Sequence, residues 1–290
     1  MDVFLQLTIS GLATGMVYAL AAVGFVIVYK SSDVINFAQG ELLLFGAYLA
    51  FFFIGQLGLP WTLGVAATLA GAVGLGLLVE RLVFRPLIGE PVISMIMATI
   101  GLSSVLRALV NGIWGARPRS FPAFLPTGPV QLGPATVAAD RLLTLVVASV
   151  LLLACALFFR YSREGIAMRA IADDQQAGLS MGISIRRVLA VAWALAAVTA
   201  AVGGIMLANV FGVSSEVGNV GLRVFPVVIL GGIDSIAGAV VGGAVIGLVE
   251  SWAGGYLGHG LQQIAAFVVL ILVLMVRPYG LFGKPVIERV

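Results

Sequence analysis

Apolar residues fall in long runs, each about the 20 residues a helix needs to cross a hydrocarbon layer, and short polar gaps separate them along the whole chain. The runs predict helices at 5–29, 36–56, 62–84, 92–113, 141–160 and 187–211. From Arg223 to Glu250 the pattern is apolar but split by Gly231, Gly232, Asp234 and Ser235, which predicts one short or broken segment followed by a second helix. A last span covers 261–276. Two gaps are longer than a turn. Residues 114–140 contain Pro118, Pro122, Pro126, Pro129 and Pro134, which favours an extended, stiff loop with few backbone donors. Residues 161–186, YSREGIAMRAIADDQQAGLSMGISIR, are polar and helix-prone instead.

Composition turns this pattern into a fold class. Of 290 residues, 61% are hydrophobic and only 10% charged, with a mean hydropathy of +1.13. A soluble core cannot hide that much apolar surface, so lipid must serve as solvent. The expectation is an all-α integral membrane protein, a single domain over 1–290. It is a polytopic helical bundle with about nine transmembrane segments, some broken or short.

The net charge of +3 and the pI near 9.3 do not point to nucleic acid, because the basic residues sit in separate short gaps. They point to topology. Lys30, Arg81, Arg85, the five arginines from Arg160 to Arg187, and Arg277, Lys284 and Arg289 make up eleven of the sixteen positive residues and occupy alternate gaps. By the positive-inside rule those gaps are cytoplasmic, while the gap with Arg117, Arg119 and Arg141 is external. The N-terminus is then outside, the C-terminus cytoplasmic and the number of spans odd. The first run, Leu5 to Tyr29, follows no Lys or Arg and is too long for the apolar part of a cleaved signal, so it is expected to remain as a transmembrane helix.

Little in the chain suggests catalysis. Cys155 is the only cysteine and reads as a small packing residue; His259 is the only histidine and has no Cys or second His to complete a metal site. There is no GxxxxGK[ST] phosphate loop, no GxSxG elbow, no CxxC and no HExxH. No cofactor is expected. A self-contained secondary transporter would need ionisable groups along its pathway, and the chain offers few.

Those few polar groups are the candidate pathway residues. Asn36, Gln39 and Glu41 precede the apolar run Leu42 to Ile54, which alone is too short to span. Either this helix begins below the membrane surface facing a cavity, or it has an ordinary capped start in water. Arg107 lies within an apolar run and facing lipid would cost at least about 2.5 kcal/mol, so it faces protein or water. A substrate carboxylate, snorkelling and a partner subunit all remain open for it. Glu250 is ambiguous, being close to the end of its helix with solvent in reach. Gly11 and Gly15, Gly238 and Gly242, and Gly243 and Gly247 are each spaced by four, which puts a groove on one helix face for close packing.

In the polar segment, Asp173 and Asp174 precede a short run, Gln175 to Met181, that Gly182 can stop, and Ala170, Ala177 and Gly178 are small enough for close approach to a partner surface. On the residues alone, a solvated connecting loop is the commoner explanation. The stretch MRAIADDQQAGLSMGI, Met168 to Ile183, however, resembles the cytoplasmic coupling loop of the branched-chain amino acid ABC permeases of the LivH type. Two further stretches resemble the same family. One is its Asn-x-Ala-x-Gly-x5-Gly-Ala-Tyr element, here Asn36, Ala38, Gly40, Gly46, Ala47 and Tyr48. The other is its glycine-rich region, here Gly231, Gly232, Gly238, Gly242 and Gly243.

The resemblance implies half of the translocation pathway of an ATP-driven importer in the bacterial inner membrane. Its expected partners are a homologous but different permease chain, two cytoplasmic ATPase subunits, a periplasmic or extracellular solute-binding protein and the lipid bilayer. Branched-chain amino acids are the solute of the commonest members, with urea, short amides and aromatic acids carried by related ones.

Overall fold

The computed structural model describes residues 2–122, 124–133 and 135–283. The first half comprises α1 (Asp2–Ser32), α2 (Gln39–Ala50, prolonged by a π-helical turn, Phe51–Gln56), α3 (Trp61–Val79, prolonged by Glu80–Phe84 and Arg85–Leu87) and α4 (Val92–Trp114). Two short strands, β1 (Pro129–Leu132) and β2 (Ala135–Ala138), lead into α5 (Ala139–Tyr161), α6 (Arg163–Asp173) and α7 (Gln175–Ser180). The chain finishes with α8 (Ile185–Phe211), α9 (Val220–Gly231), α10 (Ile236–Tyr256) and α11 (Gln262–Val276).

Among the described residues six helices are long and apolar enough to cross a membrane: α1, α3 with its extension, α4, α5, α8 and α10. The protein is a polytopic helical membrane protein. Three shorter apolar segments accompany them: α2 with its π turn, α9 and α11. Twelve residues of α9 rise about 18 Å, well short of the roughly 30 Å of a hydrocarbon core. Apolar length in the sequence does not reveal where a backbone turns inside the bundle, and for that reason nine apolar segments resolve into six long helices and three short ones.

The second part of the long gap after α4 is a hairpin rather than the stiff extended loop its prolines suggest. β1 and β2 pair antiparallel, Val130 opposite Val137 and Gln131 opposite Thr136, so the fold is not purely helical. Gly133, at φ +60°, turns the chain, and Pro129 is tolerated because it stands at the start of its strand.

The centre of the bundle is α1 and α8, whose apolar stretches are 83% and 67% enclosed by protein, against 17–28% for α3, α4 and α5. The peripheral helices turn Leu78, Val105, Leu109, Val150 and Leu153 outward, as expected of a surface solvated by lipid. Against α1 lies α10, joined through the glycines at spacing four. A Cβ on Gly11 would stand 2.8 Å from the Gly247 carbonyl oxygen, and one on Gly15 would strike that of Gly243. Small residues permit this contact in lipid, where packing rather than water drives helix association.

Ser251 Oγ donates to the Leu7 carbonyl (2.7 Å) and Trp252 Nε1 to Thr8 Oγ1 (3.1 Å), so α10 runs antiparallel to α1 and finishes beside its start. This is the Asp2 end of the bundle; the opposite end holds Ser32. At the Ser32 end α9 finishes at Gly232, φ +106°. Two of its last carbonyls are satisfied from the C-terminal segment, Leu281 N donating to Leu230 O and Phe282 N to Gly231 O at 2.8 and 2.9 Å.

Candidate functional site

After α1 the chain turns back into the bundle. Thr99 Oγ1 donates to the Ile35 carbonyl and accepts from Phe37 N, both at 3.2 Å, and Gln39 Nε2 reaches the Ala196 carbonyl at 3.5 Å. Thr99 and Ala196 lie about 10 and 16 Å along α4 and α8 from the Ser32 end, so α2 starts inside the bundle. Asn36, Gln39 and Glu41 are correspondingly buried and in protein rather than water. Asn36 Oδ1 accepts from Ala38 N and its Nδ2 donates to Gln39 Oε1, both at 3.0 Å, which shapes the turn.

At the same depth begins α9, and it departs toward the Ser32 end while α2 departs toward the Asp2 end. Glu41, in the first turn of α2, sits where the helix dipole favours a negative charge. Arg107 comes from α4 to meet it, Nη2 to Oε1 at 2.7 Å. Asn36, Gln39 and Glu41 thus form a buried polar patch where two short helices start, met by the part-exposed Arg107, a layout in which discontinuous helices hold charge inside a membrane protein.

A second polar region was not anticipated from the sequence. Between α1, α9 and α10, with the 212–219 linker and the starts of α5 and α11 around it, lies a cavity of about 640 Å³ near the Asp2 end. Tyr18, Arg223 and Glu250 line it together. Tyr18 donates its hydroxyl proton to Glu250 Oε2 (2.8 Å) and accepts from Arg223 Nη1 (2.8 Å), while Arg223 Nε stands 3.5 Å from Glu250 Oε1. Glu250 is only 2% exposed, so proximity to a helix end does not put it in solvent. A carboxylate this buried requires a countercharge, and Arg223 supplies it.

The other two charged lining residues differ. Arg141 lies over the Phe211 ring, 5.3 Å from its centroid, with Nη1 3.5 Å from Thr14 Oγ1. Glu216 is exposed and accepts from Asn219 Nδ2 at 2.8 Å.

The polar segment 161–186 folds as two capped helices. Ser162 Oγ accepts from Gly165 N at the start of α6, Asp174 Oδ1 accepts from Ala177 N at the start of α7, both at 2.9 Å, and Gly182 ends the pair at φ +80°. Met168 and Ile171 are buried, and Glu164 is paired with Arg187, which ties α6 to the base of α8. Gly178 faces inward. A Cβ there would lie 3.1 Å from Ile171 Cγ1, so its small size serves the contact between α6 and α7 rather than an outer surface. Ala170 is half-buried, Asp173, Asp174, Ala177 and Gly182 are exposed, and the bare apolar side chains are Ile166 in α6, at 51%, and Leu179 and Met181 at the α7 tip, 50% and 83% exposed.

Among the described residues no group of three His, Cys, Asp or Glu could hold a metal. Cys155 is buried in α5. The side chain of His259, and Lys284 and Arg289 that entered the charge count, lie outside the described residues. Tyr18 and Arg223 escaped the sequence reading because 232 and 205 residues separate them from the groups they bind. Arg223 did carry a signal, since an arginine in an apolar run needs a partner as much as Arg107 does.

The family model described as the permease component of the branched-chain amino acid transport system matches residues 7–276. The high-affinity branched-chain amino acid transport system permease protein LivH of Salmonella typhimurium is 34% identical over 302 residues, which covers 99% of this chain and 98% of that one. LivH of Escherichia coli K12 matches to the same extent. The corresponding protein BraD of Pseudomonas aeruginosa is 32% identical, again over 99% and 98% of the two chains.

Proposed function

Because the chain belongs to the branched-chain amino acid transport permease family, we propose that it is the membrane-spanning permease subunit of an ATP-driven importer. In this reading it forms half of a translocation pathway for branched-chain or related amino acids delivered by an external binding protein. A homologous permease chain supplies the other half, and two separate cytoplasmic ATPases supply the energy. One observation carries the reading: identity of 34% to a branched-chain amino acid permease runs through 99% of this chain, so the bundle, the cavity and the α6–α7 pair are all included.

The mechanical part of the proposal rests on α6 and α7. They form the connection between α5 and α8, and α8 is a central helix of the bundle. ATP-driven closure of the ATPases presses on the exposed Leu179 and Met181, and the capped pair passes the displacement to α8 and so to the helices around the pathway. The topology proposed with it has nine membrane segments, 161–186 and the C-terminus in the cytoplasm, and the N-terminus and 114–140 outside.

The test is uptake of labelled L-leucine, urea and acetamide by vesicles containing the complete complex and its binding protein. ATP-dependent leucine accumulation is expected. Failure to accumulate any of the three, or transport that persists without ATPase subunits, would remove the reading.

A further inference from the structure

The cavity near the Asp2 end carries four charged side chains, and they do not all pair with one another. Arg223 and Glu250 neutralise each other on its floor, with the Tyr18 hydroxyl hydrogen-bonded to both. That leaves one cation, Arg141, and one anion, Glu216: among the described residues the Arg141 side chain meets the Phe211 ring and Thr14, while its backbone N–H donates to Asp140 Oδ1 at 2.7 Å, and Glu216 accepts from Asn219. Both line the cavity, Arg141 from the start of α5, where it stacks on Phe211, and Glu216 from the linker that follows Phe211.

Leu7, Leu207, Phe211, Val217 and Val220 supply apolar lining between the charges. The volume of about 640 Å³ falls within the roughly 300–1,000 Å³ of small-molecule sites, and neutral polar side chains such as Ser10, Ser214, Ser251 and Gln262 share the lining.

We propose that this cavity, within a single permease chain, is a binding site for a zwitterionic α-amino acid with an apolar side chain, Arg141 taking the α-carboxylate and Glu216 the α-ammonium. The guanidinium presents paired N–H donors that match the two carboxylate oxygens. The apolar lining takes the side chain, and the neutralised Tyr18–Arg223–Glu250 floor adds no net charge to compete. A neutral solute such as urea answers neither charge and so gains neither charge-assisted contact. This site deepens the permease reading and rests on it.

The test is equilibrium binding of labelled L-leucine to the assembled complex in nanodiscs without the binding protein, with isopentylamine and 4-methylpentanoate as competitors that keep only one of the two charges. Leucine is expected to bind saturably and at least tenfold more tightly than either analogue. Arg141→Gln should abolish the preference over the amine, Glu216→Gln the preference over the acid, and Arg141→Lys should restore part of the first. Arg117→Gln, an exposed cation outside the cavity, should change neither.

A misfolded variant would lose all binding rather than one preference. Leucine binding no tighter than both analogues, or preferences that survive in both variants, would overturn the site. Uptake separates the two readings. Normal leucine import by Arg141→Gln and Glu216→Gln removes the site and leaves the permease role standing, whereas a wild-type complex that imports none of leucine, urea and acetamide removes the permease role.

Discussion

Gly40 and Gly221 meet backbone to backbone at the point where two short helices begin. A Cβ on Gly221 would lie 2.6 Å from Gly40 Cα, and one on Gly40 2.7 Å from Gly221 Cα. Neither position has a flexible neighbour that could yield, because the atoms in the way are main chain. The contact fixes the starts of α2 and α9 against each other, and with them the level at which Asn36, Gln39 and Glu41 sit.

Alanine at this crossing should therefore be costly, although alanine favours helix by about 1 kcal/mol over glycine. Gly40→Ala is expected to destabilise the purified protein by about 1–3 kcal/mol, the usual range for an overpacked core. Gly203 in α8 is the control, because a Cβ there stays at ordinary contact distances, 3.4 Å from Leu43 Cδ1, 3.6 Å from Val17 Cγ1 and 3.7 Å from the Val17 carbonyl oxygen. Gly203→Ala should be neutral or stabilising. Thermal unfolding in detergent reads both, and equal melting temperatures for the two variants would contradict the crossing.

The Arg107–Glu41 pair predicts an asymmetry. Glu41 is almost fully buried while 41% of the Arg107 side chain is exposed, so a lone Glu41 is stranded without water but a lone Arg107 is not. Arg107→Met should cost on the order of 2 kcal/mol, less than the 3–5 kcal/mol of a wholly buried pair. Glu41→Gln should cost clearly less, and the double variant should recover much of the Arg107→Met loss. Additive effects in this cycle would show that the two groups do not interact.

What the sequence made legible follows from which interactions are local. Ranges such as 92–113 and 187–211 fall within two residues of the observed Val92–Trp114 and Ile185–Phe211, because a helix that must satisfy its own backbone in lipid is written in one apolar run. Asp174 and Gly182 as the limits of α7 were legible for the same reason. The Tyr18–Arg223–Glu250 floor was not, since it joins three helices far apart in the chain. The inward aspect of Gly178 was hidden too: the sequence shows a small residue but not which neighbour, Ile171 or a partner, requires it to be small. In 114–140 the prolines drew attention from the Gly133 turn between Val130–Gln131 and Thr136–Val137.

Because Gly178 packs on Ile171, the informative substitution in the α6–α7 pair is at its bare tip. Met181→Glu places a charge on a side chain that touches little within this chain, so stability should change by no more than about 0.5 kcal/mol. In the assembled complex it is expected to separate ATP hydrolysis from uptake, with transport reduced at least tenfold while the ATPases remain active. Gly178→Trp, in contrast, should lower the melting temperature of the isolated chain. Full transport by Met181→Glu would mean that the tip makes no energetically important contact with a motor.

The last prediction concerns which ends of the bundle face which compartment. α1 and α10 are antiparallel and interlocked, so a single orientation of the bundle sets the side of every loop. Gln176 in α7 and Gln131 in β1 are both exposed and belong to the gaps that the arginine and lysine distribution assigns to opposite sides. Cys155 is buried in α5, and Cys155→Ser gives a background without a competing thiol. In that background Gln131→Cys should react with a membrane-impermeant maleimide added to intact cells. Gln176→Cys should react only after the membrane is opened or inverted. Reaction of both from outside would put α7 on the wrong side for contact with a cytoplasmic ATPase, reaction of both only from inside would misplace the 114–140 gap, and the inverse pattern would reverse the bundle and the direction in which the cavity near Asp2 opens.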